Sequence, residues 1–162
     1  QQDLWFSIRD QAKGFYQSSN LLKENKRYTD KSLENIFLVD IILTLYPKAK
    51  IIYCDRKPLA SVVSIMKNNM VTLPWAHDVN DILEYVDNCL EAIKKAKALY
   101  PDSIYTVKYE DLVIEPEAES KKLMDYCGLE WNESCLNSVS FFVSPCRFRC
   151  TDVPLSCVFR YS

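Results

Sequence analysis

The run from Lys48 to Ile65 constrains the fold more than any other part of the chain. It reads Lys-Ala-Lys-Ile-Ile-Tyr-Cys-Asp-Arg-Lys-Pro-Leu-Ala-Ser-Val-Val-Ser-Ile. Ile51, Ile52 and Tyr53 form a short apolar run that suits a buried strand. Pro58 suits the first position of a helix, where its missing N–H costs nothing. Arg56 therefore falls at the carboxyl end of a strand, just before a helix, and Ser64 falls in the second turn of that helix. Ligands of open α/β sheets bind at the carboxyl ends of strands. A helix dipole, free N–H groups and a guanidinium all favour an anion there.

The segments on either side extend this unit into a layered domain. Residues 3–17 place Leu4, Ile8, Ala12 and Phe15 on one face at helical spacing. Lys26–Asp30 reads as a short strand leading into Lys31. Residues 33–46 are apolar almost all round, which predicts a buried helix that Pro47 ends. The strand at 50–55 and a helix at about 58–69 follow. Asp78 or Asn80 can cap the next helix. Its stripe is Ile82, Val86, Cys89, Leu90, Ile93 and Tyr100, and Pro101 breaks it. Ser103–Tyr109 alternates like a strand, and Pro116 opens a helix that Gly128 closes. The order β-α-β-α-α-β-α predicts an α/β, three-layer domain with a mainly parallel sheet. The composition changes after Leu136. Residues 1–136 read as one domain portion, and residues 137–162 as a divergent, Cys-rich tail with no clear period.

Composition narrows the function. The chain has 162 residues, enough for one domain with a sizeable core. Lys and Arg number 20 against 22 Asp and Glu, which argues against a nucleic-acid backbone as partner. That balance still leaves room for the few cations a phosphorylated small molecule needs. No apolar stretch approaches the ~20 residues of a membrane helix. No signal-peptide pattern opens the chain, and it does not begin with Met, which fits a processed product or a fragment. Seven cysteines lack Cys-x-x-Cys spacing, so no metal is expected. A reducing, cytoplasmic compartment is the default, with the Golgi lumen the alternative if the chain belongs to a longer targeted protein. Only two glycines occur, Gly14 and Gly128, too few for a Gly-rich phosphate loop.

Each candidate residue has a plain alternative. Lys31, at a strand-to-helix turn, can neutralise an oxygen that gains charge as a bond breaks, or be an ordinary surface lysine. Arg56 can bind a phosphate or pair with Asp55 or another carboxylate. Ser64 can assist Arg56 or bond back to its own helix; Ser61, a turn earlier, is the weaker candidate. Tyr109 can meet a base or pack at the sheet end. Glu110 and Asp111 are expected to face solvent. His77, the single histidine, reads as a surface loop residue.

In order and spacing, several of these segments resemble the sulfotransferase family that uses 3′-phosphoadenosine 5′-phosphosulfate. The likeness is to the branch fused to tetratricopeptide repeats and related to tyrosylprotein sulfotransferases. It rests on Thr29-Asp30-Lys31, on Leu45–Cys54, on Arg56-x-Pro58 with Ser64, on Tyr109-Glu110-Asp111-Leu112-Val113 with Pro116, and on Cys127-Gly128-Leu129-Glu130-Trp131. The resemblance implies that Arg56 and Ser64 hold the 3′-phosphate and that Tyr109 contacts the adenine side. Lys31 would meet the leaving phosphate during in-line transfer to an acceptor hydroxyl. It implies no metal.

Two family features have no counterpart in these residues. One is a Pro-Lys-Ser-Gly-Thr-like loop that grips the 5′-phosphosulfate in a P-loop-type fold. The other is the catalytic carboxylate that follows it. The expectation is therefore the second part of a sulfotransferase domain, carrying a 3′-phosphate site and inactive alone. A non-catalytic nucleotide-binding or regulatory domain, or a small-molecule kinase of the same α/β class, are the alternatives.

Overall fold

The computed structural model describes residues 7, 8, 10, 11, 28–68, 70, 72–136 and 157–161. Strand β1 (Tyr28–Asp30) leads through a 3₁₀ turn at Leu33–Phe37 into α1 (Val39–Leu45). Next come β2 (Lys50–Asp55), α2 (Pro58–Lys67), a 3₁₀ turn at Pro74–His77 and the long α3 (Val79–Leu99). A short turn at Pro101–Ser103 precedes β3 (Ile104–Lys108), which passes directly into α4 (Tyr109–Ile114) and then α5 (Pro116–Tyr126). Strand β4 is Cys157–Tyr161.

The four strands form one sheet in the order β1-β4-β2-β3. β2 and β3 pair in parallel, from Ile51 opposite Ile104 to Asp55 opposite Lys108. β4 lies antiparallel between β1 and β2, so β1, β2 and β3 share one direction; the parallel pairing expected of the sheet is made by β2 with β3, and the two pairings of β4 are antiparallel. The tail was expected to lack a period, yet residues 157–161 are a strand and the one antiparallel member of the sheet. Residues 137–156 and most of the expected first helix lie outside the described residues.

Alternation along the strands splits the packing between two faces. Ile51, Tyr53 and Ile104 join one buried cluster with Val39, Ile42 and Leu43 of α1, Val62 and Ile65 of α2, and Ile82, Val86, Cys89 and Ile93 of α3. Tyr105 lies on the opposite face and stacks on Tyr126 of α5, with ring centroids 4.9 Å apart. Helices thus cover both faces, which gives the expected three layers.

Local chemistry explains where the helices begin and end. Asp78 caps α3 by accepting from the N–H groups of Asn80 at 2.8 Å and Asp81 at 3.3 Å. After α5, the Gly128 N–H donates to Asp125 O and the Leu129 N–H to Met124 O, with Gly128 at φ +60°. Those two bonds and a left-handed glycine form a Schellman stop. The segment 33–46 departs from expectation. It is not a single buried helix but a 3₁₀ turn and a short α-helix meeting at Leu38, with Phe37, Leu38 and Ile41 exposed. Its buried side is confined to Asn35, Ile36, Val39, Ile42 and Leu43, so the apolar surplus points outward.

Cys89 and Cys127 are buried, as expected of small apolar residues, whereas Cys54 is half-buried. Burial pushes the Cys89 thiol up to about 11, against a smaller downward pull from its hydrogen bond with Tyr85. Ile65 is 0% exposed. Ile65→Ala should cost about 2–5 kcal/mol, as large-to-small changes in a filled core do. Asp78→Ala should cost ~0.5–2 kcal/mol through the lost cap. Urea midpoints at unchanged m-value measure both, and the core change should be the larger.

Candidate functional site

The parallel register of β2 and β3 brings two chain corners level. Asp55 is opposite Lys108, so Arg56 and Lys57 come abreast of Tyr109 and Glu110. Two contacts at successive positions join these corners. The Arg56 guanidinium carbon lies 4.6 Å from the centre of the Tyr109 ring, a cation–π arrangement. The Lys57 N–H donates to Glu110 Oε1 at 3.2 Å.

The second contact does the work of a helix cap. Lys57 is the N-cap of α2 but makes no capping bond with its own side chain, and Pro58 stands at the first helical position. In a capping box, a glutamate three residues on returns to the N-cap N–H. Here that position holds Ala60, and Glu110 supplies the carboxylate from 53 residues away. Glu110 was expected to face solvent; it is half-buried, and Asp111 alone of the pair is exposed. Partial burial pushes the Glu110 carboxyl up. The Lys57 N–H, its own backbone N–H and the charges of Lys57 and Arg56 outweigh that and hold it below the ordinary glutamate range.

Ser64 lies one turn beyond Ser61 on the buried side of α2. The Ser61 hydroxyl donates to Lys57 O at 3.4 Å, the plain intrahelical role. Ser64 Oγ instead accepts from Asn68 Nδ2 at 3.4 Å, which leaves its own O–H available as a donor.

Lys31 is held apart from this corner. Asp30 Oδ1 accepts from both the Ser32 N–H at 3.0 Å and the Ser32 hydroxyl at 2.8 Å. This local turn sets Lys31 at its tip, exposed. β1 and β2 flank β4, so two interstrand spacings, about 10 Å, separate them. Asp30 and Ile51 both oppose Phe159, which puts Lys31 level with Ile52. Arg56 thus lies roughly 13 Å further along the strand direction. Arg56 and Tyr109 are brought into contact; Lys31 is not brought to that corner.

Other features lie apart from this edge. A groove of about 470 Å³ between the 33–37 turn and α3 includes Phe37, Asp40, Glu91 and Lys95, and none of the four candidate residues. His77 is exposed, as expected, beside Trp75, which stacks on Tyr85 at 3.8 Å. Among the described residues no group of three or more His, Cys, Asp or Glu could hold a metal ion. No helix among them is long and apolar enough to cross a membrane.

An α/β sheet with an arginine at the carboxyl ends of its strands defines a class whose ligands bind at that edge. Comparison with known proteins narrows that class. The model of the sulfotransferase family matches residues 1–133, and the chain belongs to that family. An uncharacterized protein of Aquifex aeolicus (strain VF5) is 30% identical over 122 residues, covering 73% of this chain and 16% of that protein. A protein-tyrosine sulfotransferase of Drosophila melanogaster is 26% identical over 125 residues, covering 75% of this chain and 24% of that enzyme. The chain thus spans a quarter or less of the length of these relatives.

The Arg56–Tyr109 contact can be tested without a ligand. Tyr109→Phe keeps the ring face and should change stability by less than about 0.5 kcal/mol. Tyr109→Leu removes it and should cost roughly 0.5–1 kcal/mol. Equal effects of the two changes in chemical denaturation would remove the contact from the account.

Proposed function

We propose that this chain supplies the 3′-phosphate end of a sulfuryl-transfer site within a longer enzyme. The donor is 3′-phosphoadenosine 5′-phosphosulfate, and the acceptor is a hydroxyl. The observation that carries this reading is the Arg56-Lys57-Pro58 corner. A carboxylate, that of Glu110, already sits on the N-cap N–H of α2 beside Arg56. The Lys57 N–H is thus already used, and the donors left for an anion are the Arg56 guanidinium and the next helix N–H groups. Pro58 has no N–H, and the Leu59 and Ala60 N–H groups lack acceptors within the helix.

In this reading Arg56 binds the 3′-phosphate with paired N–H donors and the Ser64 hydroxyl adds a further donor. Tyr109, packed against Arg56, lines the adenine side. Lys31 stands at the opposite end and stabilises charge that builds on the bridging oxygen as the sulfur–oxygen bond breaks. The separation of Lys31 from Arg56 suits a donor whose two anionic ends are read by different strands. Family membership supports sulfuryl transfer over the kinase and regulatory alternatives. The 162 residues contain no Pro-Lys-Ser-Gly-Thr-like loop. We therefore place the grip on the 5′-phosphosulfate, and the base that deprotonates the acceptor, outside these residues.

Calorimetry with adenosine 3′,5′-bisphosphate tests the site. An arginine–phosphate hydrogen bond is worth about 1.5–3 kcal/mol, so Arg56→Ala should weaken binding about 10- to 150-fold. An unchanged affinity, or no binding by the parent chain, would reject the assignment. Incubated alone with the sulfate donor and phenol, sugar or peptide acceptors, the chain should show no turnover. Product above background would place the missing machinery inside these residues.

A further inference from the structure

We infer that Glu110 is the positioning residue of this site: its carboxylate holds the Arg56-Lys57-Pro58 turn in place by capping α2 from the neighbouring strand corner. The inference rests on the anion-site reading above for its consequence in binding, and on the structure alone for its geometry. The N-cap of α2 has no cap of its own, and the N–H of that residue is taken by Glu110. Because Tyr109 and Glu110 are consecutive, one short segment fixes both the Arg56 side chain and the backbone behind it. A guanidinium that must meet a phosphate with two aligned donors gains from a backbone that cannot swing.

The capping acceptor and its charge act in opposite senses. The acceptor orders the turn. The charge faces Arg56 and Lys57 across the corner, with Tyr109 and Asp111 beside it on its own helix, and it reduces the positive potential an incoming anion meets. Glu110→Gln keeps an acceptor oxygen and removes the charge; Glu110→Ala removes both. Binding of adenosine 3′,5′-bisphosphate should be unchanged or tighter in the glutamine variant. It should be about 2- to 30-fold weaker in the alanine variant, the range of a lost cap.

A second measurement needs no nucleotide. In the parent chain the Lys57 amide resonance should follow a titration with a midpoint below the ordinary glutamate value of 4.5. Glu110→Gln should abolish that pH response while keeping the amide protected from hydrogen exchange, and Glu110→Ala should abolish both. Equal weakening in the two variants, no weakening in either, or a Lys57 amide indifferent to both would overturn the inference. If no variant binds the nucleotide, the functional reading falls, and the amide data alone decide the role of Glu110.

Discussion

The parallel pairing of β2 with β3 is the constraint on which the candidate site depends. It sets Asp55 opposite Lys108, and every relation at the corner follows from that register. A parallel neighbour turns at the same edge of the sheet, so two strand ends and two helix starts meet there. A one-residue slip would move Tyr109 off Arg56 and also put Ile51 and Ile104 on opposite faces. The core on one face and the site at the edge therefore enforce the same register. Ile51, at 0% exposed, lies in the core, and Arg56, five residues on, lies at the site, so the packing that stabilises the fold also aligns the chemistry.

Much of the fold was legible because each local signal agreed with the next. The apolar run at 51–53, Pro58, the Asp78 cap and the Pro116–Gly128 pair all mark element boundaries through backbone chemistry that acts within a few residues. The break at Leu38 was not legible. A run that is apolar all round reads as buried, and nothing local shows that part of it lies on the surface. The strand at 157–161 was hidden for a related reason: its partners are residues 28–30 and 50–53, far away in the chain.

The site divides along the same line. Arg56 and Ser64 were visible beside a helix start, and Lys31 at a turn. Glu110 was read as a solvated acid because its partner, the Lys57 N–H, is a backbone group on another strand. Backbone donors leave no mark in a sequence. The one local hint was an omission, the absence of any Ser, Thr, Asp or Asn at the N-cap of α2, where an exposed helix start usually carries one.

The insertion of β4 has a consequence for the order in which this sheet can be assembled. Among the described residues β1 reaches the rest of the sheet through β4, which belongs to the opposite end of the chain. β2, α2, α3 and β3 can associate as soon as they are made, and with them the Arg56–Tyr109 corner. β1 can join this sheet only once β4 is in place. Contacts of such long sequence separation close late and slowly. The spacing between Lys31 and Arg56 thus waits on β4, a strand that carries neither residue.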